Sequence, residues 1–297
     1  MEELINQAEE ITSKLLSFLD NPIQELTLEQ LKLTADERTT GQNYMNGIAH
    51  HQIFDRVSEI MDKHNLKFYV DKIYAADNKN KSLPGVTVLP LAQEKYGMNS
   101  LESHILRRIN GKLNILTDND ATSCGSIALS FHQQGIQLAF GQNVHICSNM
   151  SIFGENLIYS YGQNGMPIDK MFNVIGDWAN QYGELRAHDV SILKKMNDIF
   201  IEPSKAIPEL IGKLQIEAVN AAYRRSNIVP PLNIGQISAF TKSILDKTDE
   251  LSSDTFISVY ELYNFGTEMH KVGETDLPNI LPANKNFGNF FIRNYEL

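Results

Sequence analysis

The sequence predicts an α+β protein, in which an antiparallel sheet from the central strands precedes a mostly helical C-terminal half. Between residues 123 and 162, apolar and polar residues alternate in short runs, as is typical of half-buried strands. Beyond Pro167, apolar residues recur every three or four positions, which indicates successive amphipathic helices. Strands followed by helices favour an α+β fold over an alternating α/β fold.

The first third of the chain begins with helical patterns. Residues 4–19 carry apolar side chains at helical spacing and predict a short helix that ends near Pro22. Residues 26–33 suit a brief helix or an extended arm, and residues 41–64 predict a longer amphipathic helix. We therefore expect an N-terminal helical arm over residues 1–40, a strand-rich α+β core over 41–165 and a helical region packed on the core over 166–297.

The strands follow in order. Residues 66–73 and 86–90 predict a hairpin, residues 100–108 a short helix, and residues 112–117 another strand. Residues 127–132, 136–140, 144–147 and 157–161 predict an antiparallel meander, with a turn placed at residues 141–143. Helices are predicted over residues 168–182, 187–199, 208–224, 234–245 and 256–270. The tail from residue 277, which contains Pro278 and Pro282, is expected to be irregular and to pack on the surface.

The charge and cysteine content narrow the function classes. A net charge of −10 opposes nucleic-acid binding at long range, because such binding is driven largely by Lys and Arg. Any nucleic-acid contact must therefore be local, and solvated surface charge is the alternative interpretation of every set of basic residues.

Two cysteines are too few for a disulfide framework. The acidic N-terminus is unlike a signal peptide, and no apolar run approaches the roughly 18 residues of a membrane span. We expect a cytoplasmic protein with no membrane partner and no cofactor. The candidate nucleic-acid residues are Arg107, Arg108, Lys112, Arg224 and Arg225.

Three short motifs carry a resemblance to a known family. Residues 141–154, GQNVHICSNMSIFG, contain Cys147, Ser148 and Asn149, and residues 49–68 contain His51 ahead of an amphipathic helix and a strand. Residues 257–271 contain Leu262 followed by Tyr263 and Asn264. In their order along the chain, the motifs resemble the phage- and plasmid-like proteins of domain of unknown function 932 and its 3871 relative. The chain departs from that pattern after Asn264. The resemblance implies a protein of bacteriophages or mobile elements that acts near DNA replication, recombination or host takeover, and it brings no established activity.

Histidine and cysteine side chains cluster in the predicted meander. His145 and Cys147 lie two residues apart on one predicted strand and so share a face, while Cys124 and His132 lie within a strand or two of them. These four are weak candidates for a Cys/His metal site, because the paired C-x2-C ligands typical of structural zinc are absent. Buried thiols and hydrogen-bonded histidines are the favoured interpretation.

Three hypotheses for function remain open. The first is a non-enzymatic protein that binds single-stranded nucleic acid locally on its sheet, which requires the candidate basic residues to converge. The second is a protein-interaction module, such as an inhibitor of a host defence complex, which requires a sizeable exposed apolar or acidic patch. The third is a metal- or cysteine-dependent hydrolase, which requires the Cys/His residues to meet. Oligomer formation is compatible with each hypothesis.

Overall fold

A computed structural model of the protein describes residues 23–33, 50–77, 106–116, 123–132, 135–144, 150–154, 156–160, 167–223, 229–249, 256–270 and 277–297. It confirms the α+β prediction, because the central strands form a sheet and most helices follow them in the C-terminal half. None of the helices in these ranges is long and apolar enough to cross a membrane.

Seven strands form one sheet in the order β1-β2-β3-β4-β5-β6, and β7 also pairs with β5. The pairs β1–β2, β2–β3 and β5–β6 are antiparallel. The strands are β1 (Ile23–Leu26), β2 (Phe68–Asp77), β3 (Leu106–Ile115), β4 (Ser123–His132), β5 (Gly135–Val144), β6 (Met150–Ser151) and β7 (Leu157–Ser160). Two further short strands, β8 (Phe200–Ile201) and β9 (Ile257–Ser258), form a separate antiparallel pair.

The helices begin within the N-terminal region and dominate the chain after residue 167. They are α1 (Leu28–Leu33), α2 (His50–Lys63), α3 (Ile168–Asn180), α4 (Tyr182–Asp198), α5 (Pro203–Tyr223), α6 (Ile234–Asp249), α7 (Val259–Glu268) and α8 (Leu277–Tyr295). Helix α7 starts with a capping box, in which Ser258 and Glu261 satisfy each other's backbone N–H groups.

The chain divides into two compact units that are discontinuous in sequence. The first comprises Met1–Thr117, Ile127–Ala139 and Ile158–Gln181, and the second comprises Asp118–Ser126, Phe140–Leu157 and Tyr182–Leu297. Strands β4, β5 and β7 contribute residues to both units.

The core of the first unit forms where helix α2 covers the β2–β3 ladder. A Cβ atom at Gly111 of β3 would lie 2.7 Å from the Phe54 ring of α2, so this position leaves no room for a larger residue. Ile73 of β2 borders the same point and is fully buried. Helix α2 also packs against α3, where the Arg56 guanidinium lies 6.0 Å from the Phe172 ring centroid. The apolar face of α2 therefore covers these strands, as the helical pattern predicts.

The core of the second unit is an aromatic cluster contributed mainly by α7 and α8. The Tyr263 ring stacks on Phe153 at 5.8 Å and on Phe287 at 5.6 Å between ring centroids. Phe291 meets Tyr263 edge-on at 5.3 Å. Aromatic pairs at these separations add stability beyond their burial, so the cluster anchors both helices.

The C-terminal tail differs from its prediction. We expected an irregular segment from residue 277, but Leu277–Tyr295 is helix α8, and Phe287 and Phe291 on it are fully buried. Pro278 falls in the first turn, where a helix tolerates a missing N–H, whereas Pro282 lies inside the helix and lacks an N–H that would otherwise donate to the carbonyl of residue 278. Burial of the aromatic face compensates for the low helix propensity of this segment.

Two strand predictions also need correction. Residues 106–108, predicted as the end of a helix, belong to strand β3, and the turn predicted at residues 141–143 lies within strand β5. A Cβ atom at Gly141 would collide with the backbone carbonyl of Ser151, so this glycine allows β6 to approach β5 closely. Val144, predicted to begin a separate strand over residues 144–147, is the last residue of β5, and residues 145–147 and the predicted hairpin partner at 86–90 lie outside the described residues. The remaining strand and helix predictions are confirmed where they fall on described residues, apart from shifts of several residues at some ends.

Helix α8 holds the chain around β6 through asparagine side chains. Asn284 Oδ1 accepts a hydrogen bond from the Ile152 N–H at 3.2 Å, and its Nδ2 donates to the Met150 carbonyl. Asn289 binds the backbone N–H and carbonyl of Gly154 in the same way, at 2.8 and 3.1 Å. Each amide presents one donor and one acceptor, as a neighbouring strand would.

Candidate functional site

The predicted nucleic-acid residue Lys112 is engaged by a carboxylate. Its Nζ lies 3.1 Å from Asp71 Oδ2, and both side chains are mostly buried on the β2–β3 ladder. Asn114 Nδ2 donates to the same carboxylate and to the Tyr69 hydroxyl, each at 3.0 Å. Burial raises the pKa of Asp71, but the Lys112 ammonium and the hydrogen bonds outweigh it and hold the pKa below its usual value. A phosphate at Lys112 would compete with Asp71 for the ammonium group.

The remaining nucleic-acid candidates are not tested by the structure. Arg107 and Arg108 occupy positions in strand β3, and their side chains lie outside the described part. Arg224 and Arg225 lie outside the described residues altogether. The convergence of basic side chains that the first hypothesis requires therefore stays a prediction.

The metal candidates fall largely outside the described residues as well. Cys124 and His132 lie in strand β4 without described side chains, and His145 and Cys147 are not described. Within the described ranges, no group of three or more His, Cys, Asp or Glu side chains is arranged to hold a metal ion.

The residues of the three family-like motifs have separate positions. His51 lies in the first turn of α2 and is partly buried in the first unit. Ser148 and Asn149 fall outside the described residues, as Cys147 does. Tyr263 and Asn264 lie on α7, where Tyr263 is a fully buried core residue and the Asn264 carbonyl accepts a hydrogen bond from the Thr267 hydroxyl at 2.9 Å. The Leu-Tyr-Asn motif thus has a packing role here.

Helix α5 exposes an apolar stripe that the sequence analysis did not single out. Its inner face enters the core of the second unit through Ile207, Leu210, Leu214 and Ala218. On the other side, Ile216 is 62% exposed, Val219 42% and Tyr223 84%. Together with Gly212, these residues are spaced four, three and four apart and so lie along one line of the helix. We call Gly212, Ile216, Val219 and Tyr223 the α5 stripe.

No described contact within the second unit requires a glycine at position 212. A Cβ atom added there would meet nothing within 4 Å in the described part of the chain. Glycine inside a helix costs about 0.5–1 kcal/mol relative to alanine. By contrast, a Cβ at Gly266 of α7 would collide with the Phe287 ring, so that glycine is required by the core. The open position at Gly212 leaves room for the backbone of another molecule.

Ion pairs along α5 neutralise the charges beside the stripe. Lys213 binds Glu209 one turn earlier at 2.8 Å, and Glu217 accepts from Arg293 of α8 at 3.1 Å. All four side chains are substantially exposed, so each pair contributes little stability. On one side, the α5 stripe is therefore bordered by paired charges, and on the other by the uncharged residues Gln215 and Ala222. The sequence signal for it was the second set of apolar residues within residues 208–224, on the face opposite the core set.

A second feature that the sequence analysis missed is a buried polar cluster in the second unit. Gln142 of β5 lies opposite Ser151 of β6 in the ladder. Asp189 of α4 is a hydrogen-bonding neighbour of Gln142, and Tyr263 of α7 is a neighbour of Ser151. None of the four is more than 4% exposed. We call Gln142, Ser151, Asp189 and Tyr263 the oxygen cluster.

Burial sets the electrostatics of the oxygen cluster. Desolvation raises the pKa of Asp189 to about 6, although His188 and Gln142 oppose the shift. Desolvation also raises the pKa of Tyr263, and the Asp189 charge adds to this effect while Ser151 opposes it. His188 Nδ1 lies 3.5 Å from Asp189 Oδ1, but the histidine side chain is 71% exposed. The Asp189 carboxylate is thus a buried charge with weak compensation.

Comparison of the chain with protein-family models, curated proteins and solved structures gave no match. The resemblance to domain of unknown function 932 and its 3871 relative stays a prediction.

Proposed function

We propose that the protein is a non-enzymatic interaction module whose α5 stripe binds an amphipathic helix of a second protein. The observation that carries this proposal is the exposed line of Gly212, Ile216, Val219 and Tyr223 on a helix whose other face is fully used by the core. Exposed apolar side chains in a line, rather than scattered singly, are a feature of interaction sites.

The spacing of the stripe favours a helical partner. Apolar residues at alternating spacings of four and three form the seam along which helices pack side by side. Gly212 at one end lets the partner backbone approach, and Tyr223 at the other supplies a large aromatic anchor of the kind enriched at binding hot spots. A strand or an irregular loop would match this spacing less well.

The net charge favours a basic partner over a second copy of the chain. With a net charge of −10, two copies repel each other, whereas a basic partner is attracted at long range. The stripe offers on the order of a few hundred Å², less than the roughly 800 Å² per partner of a standard interface. We therefore expect micromolar rather than nanomolar affinity.

Nucleic-acid binding remains a hypothesis with weaker support. Lys112 is paired with Asp71, and exposed Lys72 and Lys205 are paired with Glu25 and Glu202. Each such carboxylate competes with phosphate for its cation. An origin in a bacteriophage or mobile element is carried by the motif resemblance alone and is compatible with either partner.

Fluorescence anisotropy with defined probes tests the proposal. The probes are two labelled helical peptides with the same leucine seam, one with lysine flanks and one with glutamate flanks, and a labelled single-stranded oligonucleotide. We expect micromolar binding of the lysine-flanked peptide, at least tenfold weaker binding of the glutamate-flanked peptide, and no saturable binding of the oligonucleotide. Failure of both peptides to bind would contradict the proposal, and saturable oligonucleotide binding in their place would favour the nucleic-acid hypothesis.

Sedimentation of the protein alone tests the second copy as occupant. We expect a monomer at micromolar concentration. A dimer that Ile216→Asp dissociates would show that α5 binds its own copy, and the proposal of a different partner would then be wrong.

A further inference from the structure

The β8–β9 pair carries two exposed phenylalanines on one face. Phe200 of β8 lies opposite Ser258 of β9, and Phe256 comes two residues before Ser258, directly ahead of β9. Because residues two apart in an extended segment point to the same side, both rings face the same way. Phe200 is 62% exposed and Phe256 60%. We call Phe200 and Phe256 the aromatic pair.

The neighbouring isoleucines show which way the aromatic pair points. Ile257 is 1% exposed and belongs to the core of the second unit, and Ile201 packs against the same core. Alternation along the two strands therefore turns Phe200 and Phe256 away from that core. Diagonal neighbours across an antiparallel pair lie about 7–8 Å apart, so one apolar side chain of another molecule can contact both rings.

Hydrogen bonds fix the backbone that presents the aromatic pair. The Val259 N–H donates to the Ile199 carbonyl at 2.9 Å, beside the Phe200–Ser258 pair of the ladder. The Ser258 N–H donates to the Glu261 carboxylate at 3.0 Å, within the capping box of α7. A surface on a fixed backbone loses little conformational freedom on binding. The aromatic pair is thus a preformed apolar surface.

Strand β8 leads directly into α5, the helix that carries the α5 stripe. The Glu202 carbonyl, immediately after β8, accepts a hydrogen bond from the Ala206 N–H at 3.1 Å, so no loop separates the two elements. Pro208 is exposed and lies four residues before Gly212, on the same side of the helix as the stripe. It is about 8 Å along the helix axis from the first residue of α5. The apolar line on α5 therefore runs toward the end at which β8 enters.

Small or paired side chains occupy the surface between the stripe and the aromatic pair. Pro208 removes a backbone hydrogen bond from α5 and Gly212 has a low helix propensity, so helix stability accounts for neither residue. Lys205, which lies between Pro208 and β8, is bound to Glu202 at 2.8 Å, and its charge is neutralised there. Another chain can therefore pass closely over this part of α5.

The α5 stripe is too small to account for a whole interface. A standard interface buries roughly 800 Å² on each partner, whereas the stripe offers on the order of a few hundred. A phenylalanine buries about 150–250 Å² when it is fully covered, so two rings that are about three-fifths exposed add on the order of 200 Å². The aromatic pair supplies apolar area of the kind that is missing, in the same unit as α5.

We propose that the aromatic pair binds a short apolar segment of the same protein that occupies the α5 stripe. This inference rests on the proposed function of α5 and describes its partner more closely, as a basic amphipathic helix that continues at one end into aliphatic or aromatic residues. The segment extends from the end of the partner helix nearest Gly212, because Tyr223 marks the end of the stripe farthest from β8. The partner helix therefore has one defined direction on α5.

Fluorescence anisotropy with three labelled peptides tests the inference on the wild-type protein. The first is the lysine-flanked peptide with the leucine seam, and the others add a short leucine- and phenylalanine-containing extension at the amino or the carboxyl end. We expect one extended peptide to bind at least tenfold more tightly than the unextended peptide, and the other to bind within about twofold of it. Equal affinities of all three, or equal gains from both extensions, would overturn the inference and leave the α5 proposal intact. Absence of binding by the unextended peptide would instead contradict the α5 proposal itself.

Matched variants assign the gain to the aromatic pair. The double change Phe200→Ser and Phe256→Ser removes both exposed rings, so we expect the tenfold advantage of the extended peptide to be lost. Ile234→Ser removes a side chain that is 56% exposed on α6 of the same unit, and it should keep the full advantage. If the double variant keeps the advantage as well, the aromatic pair is not the contact. The comparison of peptides on the wild-type protein does not depend on the stability of either variant.

Discussion

His270 Nε2 lies 2.8 Å from the carbonyl oxygen of Pro231 and donates its proton to it, because a carbonyl can only accept. The ring is 4% exposed and packs edge-on against Phe287 at 5.4 Å, and its Nδ1 has no partner among the described residues. His270 is therefore held as a neutral imidazole within the core of the second unit. Burial lowers its pKa to about 4, although the hydrogen bond to Pro231 opposes the shift.

Stability should fall with acidification through His270. Its pKa is about 4 in the folded state and near 6.5 in the unfolded state, so between these values the unfolded chain binds a proton that the folded protein excludes. The contribution is fully present above pH 6.5 and is lost as the pH falls to 4, amounting to roughly 3 kcal/mol. Urea unfolding from pH 7.5 to 4 should show a steeper loss in wild type than in His270→Gln. Parallel curves would mean that His270 titrates normally.

Ionisation of Asp189 should lower the stability of the protein as the pH rises, which is opposite to the effect of His270. Its pKa is raised to about 6, so its ionisation destabilises the fold as the pH rises from about 4 to above 6. At pH 8, we expect Asp189→Asn to raise the free energy of unfolding by up to about 3 kcal/mol, and to have little effect below pH 4. The asparagine can also donate to the unsatisfied Gln142 Oε1. Urea unfolding at both pH values measures this difference, and a variant that is less stable at pH 8 would contradict it.

Two asparagines of α8 make the same hydrogen bonds at different burial. Asn284→Ala would leave the buried backbone groups of Met150 and Ile152 without partners, which should cost about 2–4 kcal/mol of unfolding free energy. Asn289→Ala removes the equivalent exposed bonds to Gly154, which water can replace, so we expect a loss of less than about 1 kcal/mol. Chemical denaturation compares the two variants. Equal losses would show that burial at Asn284 is not the controlling factor.

Two helix glycines should respond in opposite ways to alanine. Gly266→Ala places a methyl group against the Phe287 ring and should destabilise the protein by about 1–3 kcal/mol or more. Gly212→Ala fills open space and should raise the free energy of unfolding by about 0.5–1 kcal/mol. The same Gly212→Ala change should weaken binding of the lysine-flanked peptide, because it blocks close approach. Unchanged peptide binding would remove Gly212 from the proposed stripe.

The periodicity of apolar residues correctly predicted the strands and helices that local sequence preference determines. The alternation in residues 127–132 and 136–140, and the helical spacing after residue 167, appear as β4, β5 and the successive helices. Predictions from the sequence were wrong where tertiary contacts override local preference. Pro278 and Pro282 predicted an irregular tail, yet α8 forms because Phe287 and Phe291 enter the core. Gly141 predicted a turn, yet it lies in β5, where the backbone of Ser151 approaches it closely.

The candidate sites were harder to predict, because they depend on which faces the fold leaves free. Gln142 and Asp189 are far apart in sequence, and nothing in either local pattern indicates that they meet. Lys112 was predicted as a phosphate contact, but its pairing with Asp71 depends on the β2–β3 register. Ile216 and Leu214 look alike in the sequence, and only packing separates the exposed residue from the buried one.

The most direct test of the central claim is the binding of the lysine-flanked peptide by Ile216→Asp and by Ser238→Asp. Both variants add one negative charge at an exposed helix position, on α5 and α6 respectively, so both should strengthen nonspecific attraction equally. Docking on the α5 stripe predicts at least tenfold weaker binding by Ile216→Asp, about 1.4 kcal/mol, with stability changed by less than about 0.5 kcal/mol. Ser238→Asp should bind as the wild type does or slightly more tightly. If Ile216→Asp binds as tightly as Ser238→Asp, the α5 stripe is not the interaction surface.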